Sequence, residues 1–254
     1  MEIVEAFTTN NKCYQAAIPL YPKGIMLHSI GCPQPNAYVM ARYYNQYQPG
    51  GQSVCVHGFI QRDGTYYQTL PYNIRAWHCG GAANATHIGI EMTEPASITY
   101  TGGASWRDLA TDATEAHVRG TYDAAVELFA QLCTQFDLDP LADGVIISHA
   151  EGAERGIASA HADPTHLWRA FGLTMDGFRA DVATAMAAKN TDEEDDDMAT
   201  RYNTVAELPT WAQEEAQRLV DRGALLGDAH GNLDVTMDML RTMIVCQRMI
   251  DENK

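Results

Sequence analysis

The 254-residue chain carries 33 Asp and Glu against 17 Lys and Arg, a net charge of −16, and is 46% hydrophobic. That balance excludes a nucleic-acid partner, which needs clustered cations, and membrane insertion is excluded because no apolar run approaches the roughly 18 residues of a spanning helix. Glu2 and Glu5 stand where a secretory signal would carry lysines, and no apolar stretch follows, so synthesis in the cytoplasm without a signal peptide is expected.

In chain order, the first structured run is Gly24-Ile25-Met26-Leu27, a short apolar segment that ends at His28. Residues 54–60 and 65–70 are rich in β-branched and aromatic side chains, and Arg62-Asp63-Gly64 between them reads as a hairpin turn. Residues 88–92 form another apolar run. A long helix follows, with Val118, Tyr122, Ala125, Phe129, Leu132 and Phe136 stepping by four and three along one face. Residues 145–148 read as a strand leading directly into His149. Residues 174–188, with Met175, Phe178, Val182 and Met186, read as a further helix. Strands joined by a hairpin or interspersed with helices predict an α/β fold, a mixed β-sheet flanked by helices.

After residue 188 comes Lys189-Asn190-Thr191 and then an unbroken acidic run over residues 192–197. Like charges repel and resist burial, so residues 189–200 are expected to be an exposed linker. It separates a body, residues 1–188, from a small α-helical unit at residues 201–254. In that unit Thr210-Trp211-Ala212-Gln213 has the capping-box pattern, Gly223 fits a helix stop, and Thr236 is placed to cap a second helix bearing Leu240, Met243, Ile244 and Ile250. So small a helix pair is marginal alone. It is expected to dock on the body, to form a homo-oligomer, or to add affinity for the body's partner. The six cysteines are scattered without a CxxC pair, which predicts free, mostly buried thiols rather than a zinc knot.

The histidines carry the chemistry. His28 and His149 each follow an apolar strand-like run, and His161-Ala162-Asp163-Pro164 offers a third donor. Two imidazoles and one carboxylate supply three zinc ligands and leave a fourth position for water, the pattern of a catalytic site. The alternative for a strand-end histidine is a hydrogen-bonded polar residue at a sheet rim.

The succession of segments adds to this. Gly24-Ile25-Met26-Leu27-His28-Ser29 is followed by His57-Gly58-Phe59-Ile60-Gln61-Arg62-Asp63-Gly64-Thr65-Tyr66-Tyr67-Gln68, then Ala76-Trp77-His78-Cys79-Gly80. Ile88-Gly89-Ile90-Glu91, Ile147-Ser148-His149 and His161-Ala162-Asp163-Pro164 come next. Over roughly residues 20–170 this order resembles the type 2 N-acetylmuramoyl-L-alanine amidases, phage endolysins above all. The resemblance implies a Zn²⁺-dependent hydrolase of peptidoglycan that acts on the wall after release from the cell. It places the metal on His28, His149 and Asp163, and on Glu91 the task of orienting or deprotonating water. The family often has a lysine two residues before the third ligand. His161 stands there and is expected to hold the oxyanion, unless His161 is itself the ligand and Asp163 lies behind it. His57 is expected to contact substrate or to stand behind the site, Trp77 to form a groove wall against substrate or to be core, and His78 to contact substrate, with Cys79 replacing the family's usual alanine, while His87, His117, His166 and His230 read as structural or surface residues. Leu208-Pro209-Thr210-Trp211-Ala212 and the segments after it resemble one S-layer-homology-like repeat. The rival readings are a non-catalytic peptidoglycan-binding module and a cytosolic muropeptide-recycling amidase. The presence of all three candidate ligands favours the wall-directed enzyme over the binding module.

Overall fold

The computed structural model describes residues 1–46, 54–228 and 232–252. Its elements run β1 (Glu2–Glu5), α1 (Lys12–Ala16), β2 (Gly24–Ser29), α2 (Ala37–Tyr44), β3 (Gly58–Ile60), β4 (Thr65–Gln68), β5 (His87–Met92), β6 (Ile98–Gly102) and β7 (Ser105–Asp108). They continue with α3 (Thr111–Gln135), β8 (Ile146–Ser148), α4 (His149–Glu154), α5 (Thr165–Trp168), α6 (Met175–Ala199), α7 (Thr210–Asp221) and α8 (Met237–Glu252).

Six strands form one mixed sheet in the order β1-β4-β3-β5-β2-β8. Only the β3–β4 pair is antiparallel, closed by the turn foreseen at residues 62–64; the other neighbours run parallel. β5 and β2 are both interior strands with every residue buried, which is why they read as continuous apolar runs rather than alternating ones. One face is covered by α3 through Val118, Tyr122, Ala125, Phe129 and Leu132 and by α6 through Phe178 and Val182, packed with Ile25, Leu27, Ile88 and Ile90. Met26 and Ile147 form a separate cluster with Cys79 and Ala83. β6 and β7 make a small antiparallel ribbon of their own.

The helices differ from expectation at their ends. α6 does not stop near residue 188 but runs through the acidic segment to Ala199. Of residues 54–60 only the last three pair as a strand. Before them Cys55 N–H bonds the Trp77 carbonyl and the Val54 carbonyl takes the Asn11 side chain, which diverts the backbone from the ladder. Thr210 lies inside α7, whose flanking residue Pro209 makes no side-chain cap. The capping box falls instead on Thr204 and Glu207. Gly223, at φ 71°, ends α7 as expected, and the Thr236 hydroxyl accepts the Met239 N–H at the start of α8.

The chain divides into two compact units, residues 1–186 and 187–254. The second has its own core, in which Ala212, Ala216 and Leu219 of α7 meet Leu240 and Ile244 of α8 together with Leu208, Leu225 and Val235. All six cysteines are free, four of them buried. Among the described residues no helix is long and apolar enough to cross a membrane.

Candidate metal centre

The parallel run β5-β2-β8 delivers its polar residues to one end, the carboxyl end at which open α/β sheets hold their sites. His28 and Glu91 are register partners on β2 and β5. His149 is the first residue of α4, immediately after β8. The turn between them is fixed by a capping box. Ser148 Oγ accepts the Glu151 N–H at 3.1 Å, and Glu151 Oε2 accepts the Ser148 N–H at 2.8 Å. Glu151 is held in turn by Arg179 of α6.

His28 Nδ1 lies 3.0 Å from His149 Nδ1. The Asp163 carboxylate reaches both, Oδ2 at 3.2 Å from His28 Nδ1 and Oδ1 at 3.4 Å from His149 Nδ1. One ligand atom from each of the three lies within 4.8 Å of the others, and among the described residues this is the one such group of His, Cys, Asp or Glu. His161 packs against His149 with the rings tilted and their centroids 4.4 Å apart, its Nδ1 3.0 Å from Ser159 Oγ. The carboxylate that joins the two imidazoles is therefore Asp163.

The outer nitrogen of His28 is also engaged. His28 Nε2 is 2.8 Å from His78 Nδ1, and His78 Nε2 is 3.3 Å from the His87 carbonyl. A carbonyl can only accept, so His78 donates from Nε2 and accepts at Nδ1. His28 then carries its proton on Nε2 and presents a lone pair at Nδ1 to the centre. The His78 ring lies flat against β5 because residue 89 is glycine, where an added Cβ would come 2.4 Å from His78 Cγ. Lone pairs from two imidazoles and a carboxylate facing one another repel unless a cation or protons sit among them. The donor set, with its outer nitrogens already oriented, fits zinc.

Burial lowers the pKa of His28 against the opposing pull of Asp163. Burial alone would raise Asp163, but the attraction of His149 and His28 beside it outweighs that and holds it below the usual carboxylate range. Glu91 is pushed well above the usual value, first by burial and then by the charges of Asp163 and Glu94. Its Oε2 is buried with no hydrogen-bond partner among the described residues, so one oxygen is left for a ligand or water.

These groups open on a cleft of about 1550 Å³ whose wall includes Trp77, Tyr100, His161, Lys12 and Arg169. Trp77 is 39% exposed there, where the sequence puts a substrate contact. His78 reaches the cleft lining, yet its ring serves His28. His57 lies behind the cleft wall rather than on it. It is fully buried and absent from the lining, its Nδ1 accepting the Gly89 N–H and its Nε2 lying 2.9 Å from the Ile74 carbonyl.

His87 and His117 are buried and bonded to backbone carbonyls, as a structural reading requires. His230 lies outside the described residues. His166 is buried and hydrogen-bonded, and it also lines the cleft and joins a network the sequence did not announce. Its Nε2 is 2.7 Å from the Tyr100 hydroxyl, which donates to Glu94 Oε2 at 2.8 Å, while Glu94 Oε1 accepts from Ser29 Oγ and the Gly31 N–H. Ser159, between His149 and His161, was also missed.

The profile of the family described as N-acetylmuramoyl-L-alanine amidase matches residues 19–166 of this chain. Among solved structures, the Staphylococcus aureus hydrolase AmiA in complex with its ligand is similar at TM-score 0.56 and 18% identity, covering 75% of this chain and 86% of that one. The catalytic domain of XlyA gives 0.51 at 20% identity, covering 72% and 99%. The PlyG catalytic domain gives 0.52 at 18%, covering 73% and 96%. Likeness at such identity is one of fold. No curated protein sequence matches the chain.

Proposed function

This chain belongs to the N-acetylmuramoyl-L-alanine amidase family, and from that premise we propose that it is a zinc-dependent enzyme whose metal is held by His28, His149 and Asp163. Its substrate is peptidoglycan, and the bond it hydrolyses joins the muramoyl lactyl carbonyl to L-alanine. The observation that carries the metal assignment is the convergence of His28 Nδ1, His149 Nδ1 and an Asp163 oxygen within 4.8 Å. When bound, zinc with three protein ligands lowers the pKa of water from about 15.7 to about 7 and polarises a carbonyl.

The remaining work falls to side chains. Glu91, with one oxygen unpartnered and a raised pKa, takes the proton from the attacking water and returns it to the departing L-alanine nitrogen. A carboxyl whose affinity for protons is raised is suited to both halves of that transfer. His161, its Nδ1 engaged by Ser159, keeps Nε2 for the substrate beside the developing oxyanion. Trp77 offers an apolar wall to sugar or peptide. Ser29 N–H, 3.4 Å from Asp163 Oδ2, helps fix the carboxylate.

In this reading the protein is an endolysin or autolysin. Residues 201–254 form a separate module that adds wall affinity or self-association, joined to the catalytic body by the acidic stretch over residues 189–200. Digestion of purified peptidoglycan tests the chemistry, with new L-alanine amines and no new reducing sugars expected. Exhaustive chelation abolishes that release and added Zn²⁺ restores it. Undiminished hydrolysis by the fully stripped protein would sink the metal assignment.

A further inference from the structure

Ser159 stands between two histidines of different purpose. Its backbone N–H donates to the Cys79 carbonyl at 2.8 Å, and its Oγ lies 3.0 Å from the same oxygen. The same Oγ is 3.2 Å from His149 Nε2 and 3.0 Å from His161 Nδ1. A serine hydroxyl has one hydrogen to give and two lone pairs to receive. The carbonyl can only accept, so the hydrogen is directed there and both lone pairs face imidazole nitrogens. Each imidazole must then carry its proton on the nitrogen that meets Ser159.

We propose that Ser159 is a positioning residue whose single hydroxyl sets the tautomers of His149 and His161 together. His149, protonated at Nε2, is left with its lone pair on Nδ1, the nitrogen that faces His28 and Asp163. His161, protonated at Nδ1, is left with Nε2 for the cleft. An imidazole free to exchange tautomers would offer the wrong nitrogen to metal or substrate part of the time, and the clamp removes that freedom.

The support for the clamp comes from the same loop that serves His28. Asn84 Oδ1 accepts the N–H groups of His78 and Cys79 at 2.9 and 3.0 Å. That fastens the ring behind His28 and the carbonyl behind Ser159 as one piece. Gly80, at φ 65°, lets the loop pass close to Ser159, since an added Cβ there would sit 3.1 Å from Oγ. One short loop therefore orients both imidazoles of the centre, His28 through His78 and His149 through Ser159.

This inference rests on the zinc reading for its consequence but not for its geometry, and the test separates the two. The full-length chain, labelled with ¹⁵N-histidine and stripped of metal, is compared with Ser159→Ala and Ser159→Thr at mildly alkaline pH. Two-bond ¹H–¹⁵N spectra identify the protonated nitrogen of each ring, and competition against a chromophoric chelator gives zinc affinity. The wild type and Ser159→Thr hold His149 as the Nε2–H form and His161 as the Nδ1–H form. In Ser159→Ala both signatures give way to mixtures and zinc affinity drops about tenfold to a hundredfold, while the dispersed amide spectrum shows an intact fold. Wild-type tautomers and affinity in Ser159→Ala overturn the proposal, as does loss of both signatures in a folded Ser159→Thr. A wild type that takes up no zinc but whose tautomers depend on the hydroxyl leaves the clamp standing and removes the metal assignment instead.

Discussion

Buried imidazoles differ according to what faces each nitrogen. His57 accepts the Gly89 N–H at Nδ1 and donates to the Ile74 carbonyl from Nε2, so a second proton would break the Gly89 bond. Burial pushes its pKa down from 6.5 to about 4. Below pH 6.5 the unfolded chain binds a proton at this position that the folded chain refuses until about pH 4. The stability His57 contributes is therefore complete above pH 6.5 and declines as pH falls through that interval, by about 3 kcal/mol. Urea midpoints measured across the range should drop accordingly, and His57→Gln should flatten that part of the profile while lowering stability at alkaline pH. Glu91→Gln addresses catalysis alone. It should keep zinc uptake and reduce kcat by about a hundredfold to ten-thousandfold, as loss of a general base does, and unchanged turnover would remove its role. His28 and His149 were legible because each ends an apolar strand run, and Asp163 because Asp-Pro follows His161. Ser159, Glu94, Tyr100 and His166 were not, because at least one decisive partner of each lies in a distant segment, as Cys79 does for Ser159. Glu94 meets Ser29 and Tyr100 meets His166, and nothing in the local pattern of either marks the meeting.

At the level of elements, reading succeeded where burial is continuous and failed where it is not. β2, β5 and α3 were visible as apolar runs or a four-three stripe. β1 sets two apolar residues between two acids and is mostly exposed, and the β6–β7 ribbon is a short, largely exposed pair. Thr210 looked like a cap, but the hydrogen bonds of a capping box form at Thr204 and Glu207 instead. A four-residue pattern cannot tell which of two neighbouring threonines has the extended backbone that a cap requires. The capping box that matters for function is at Ser148 and Glu151, because it sets the first residue of α4, His149. Ser148→Ala should cost about 1 kcal/mol of stability. Zinc affinity should fall with it, measured by chelator competition beside the unfolding curve. Loss of stability with affinity untouched would show that the cap holds the helix but not the ligand.

On the scale of the whole chain, two cores form separately, one around α3 and the sheet and one between α7 and α8. The proposed division is testable by a cut after residue 200, which leaves α6 whole. The shortened chain should hydrolyse soluble muropeptides at the full-length rate while binding less to sedimented cell walls. A collapse in its turnover would instead make residues 201–254 part of the catalytic body. The mixed sheet also fixes when the enzyme can exist at all. Among the described residues β8 is an edge strand paired with β2 alone, and the third proposed ligand lies beyond it in the chain. A polypeptide still emerging from the ribosome therefore has its first histidine long before it has a place for it. Until translation has passed Asp163 the proposed centre lacks its third ligand, so no unfinished copy can assemble it.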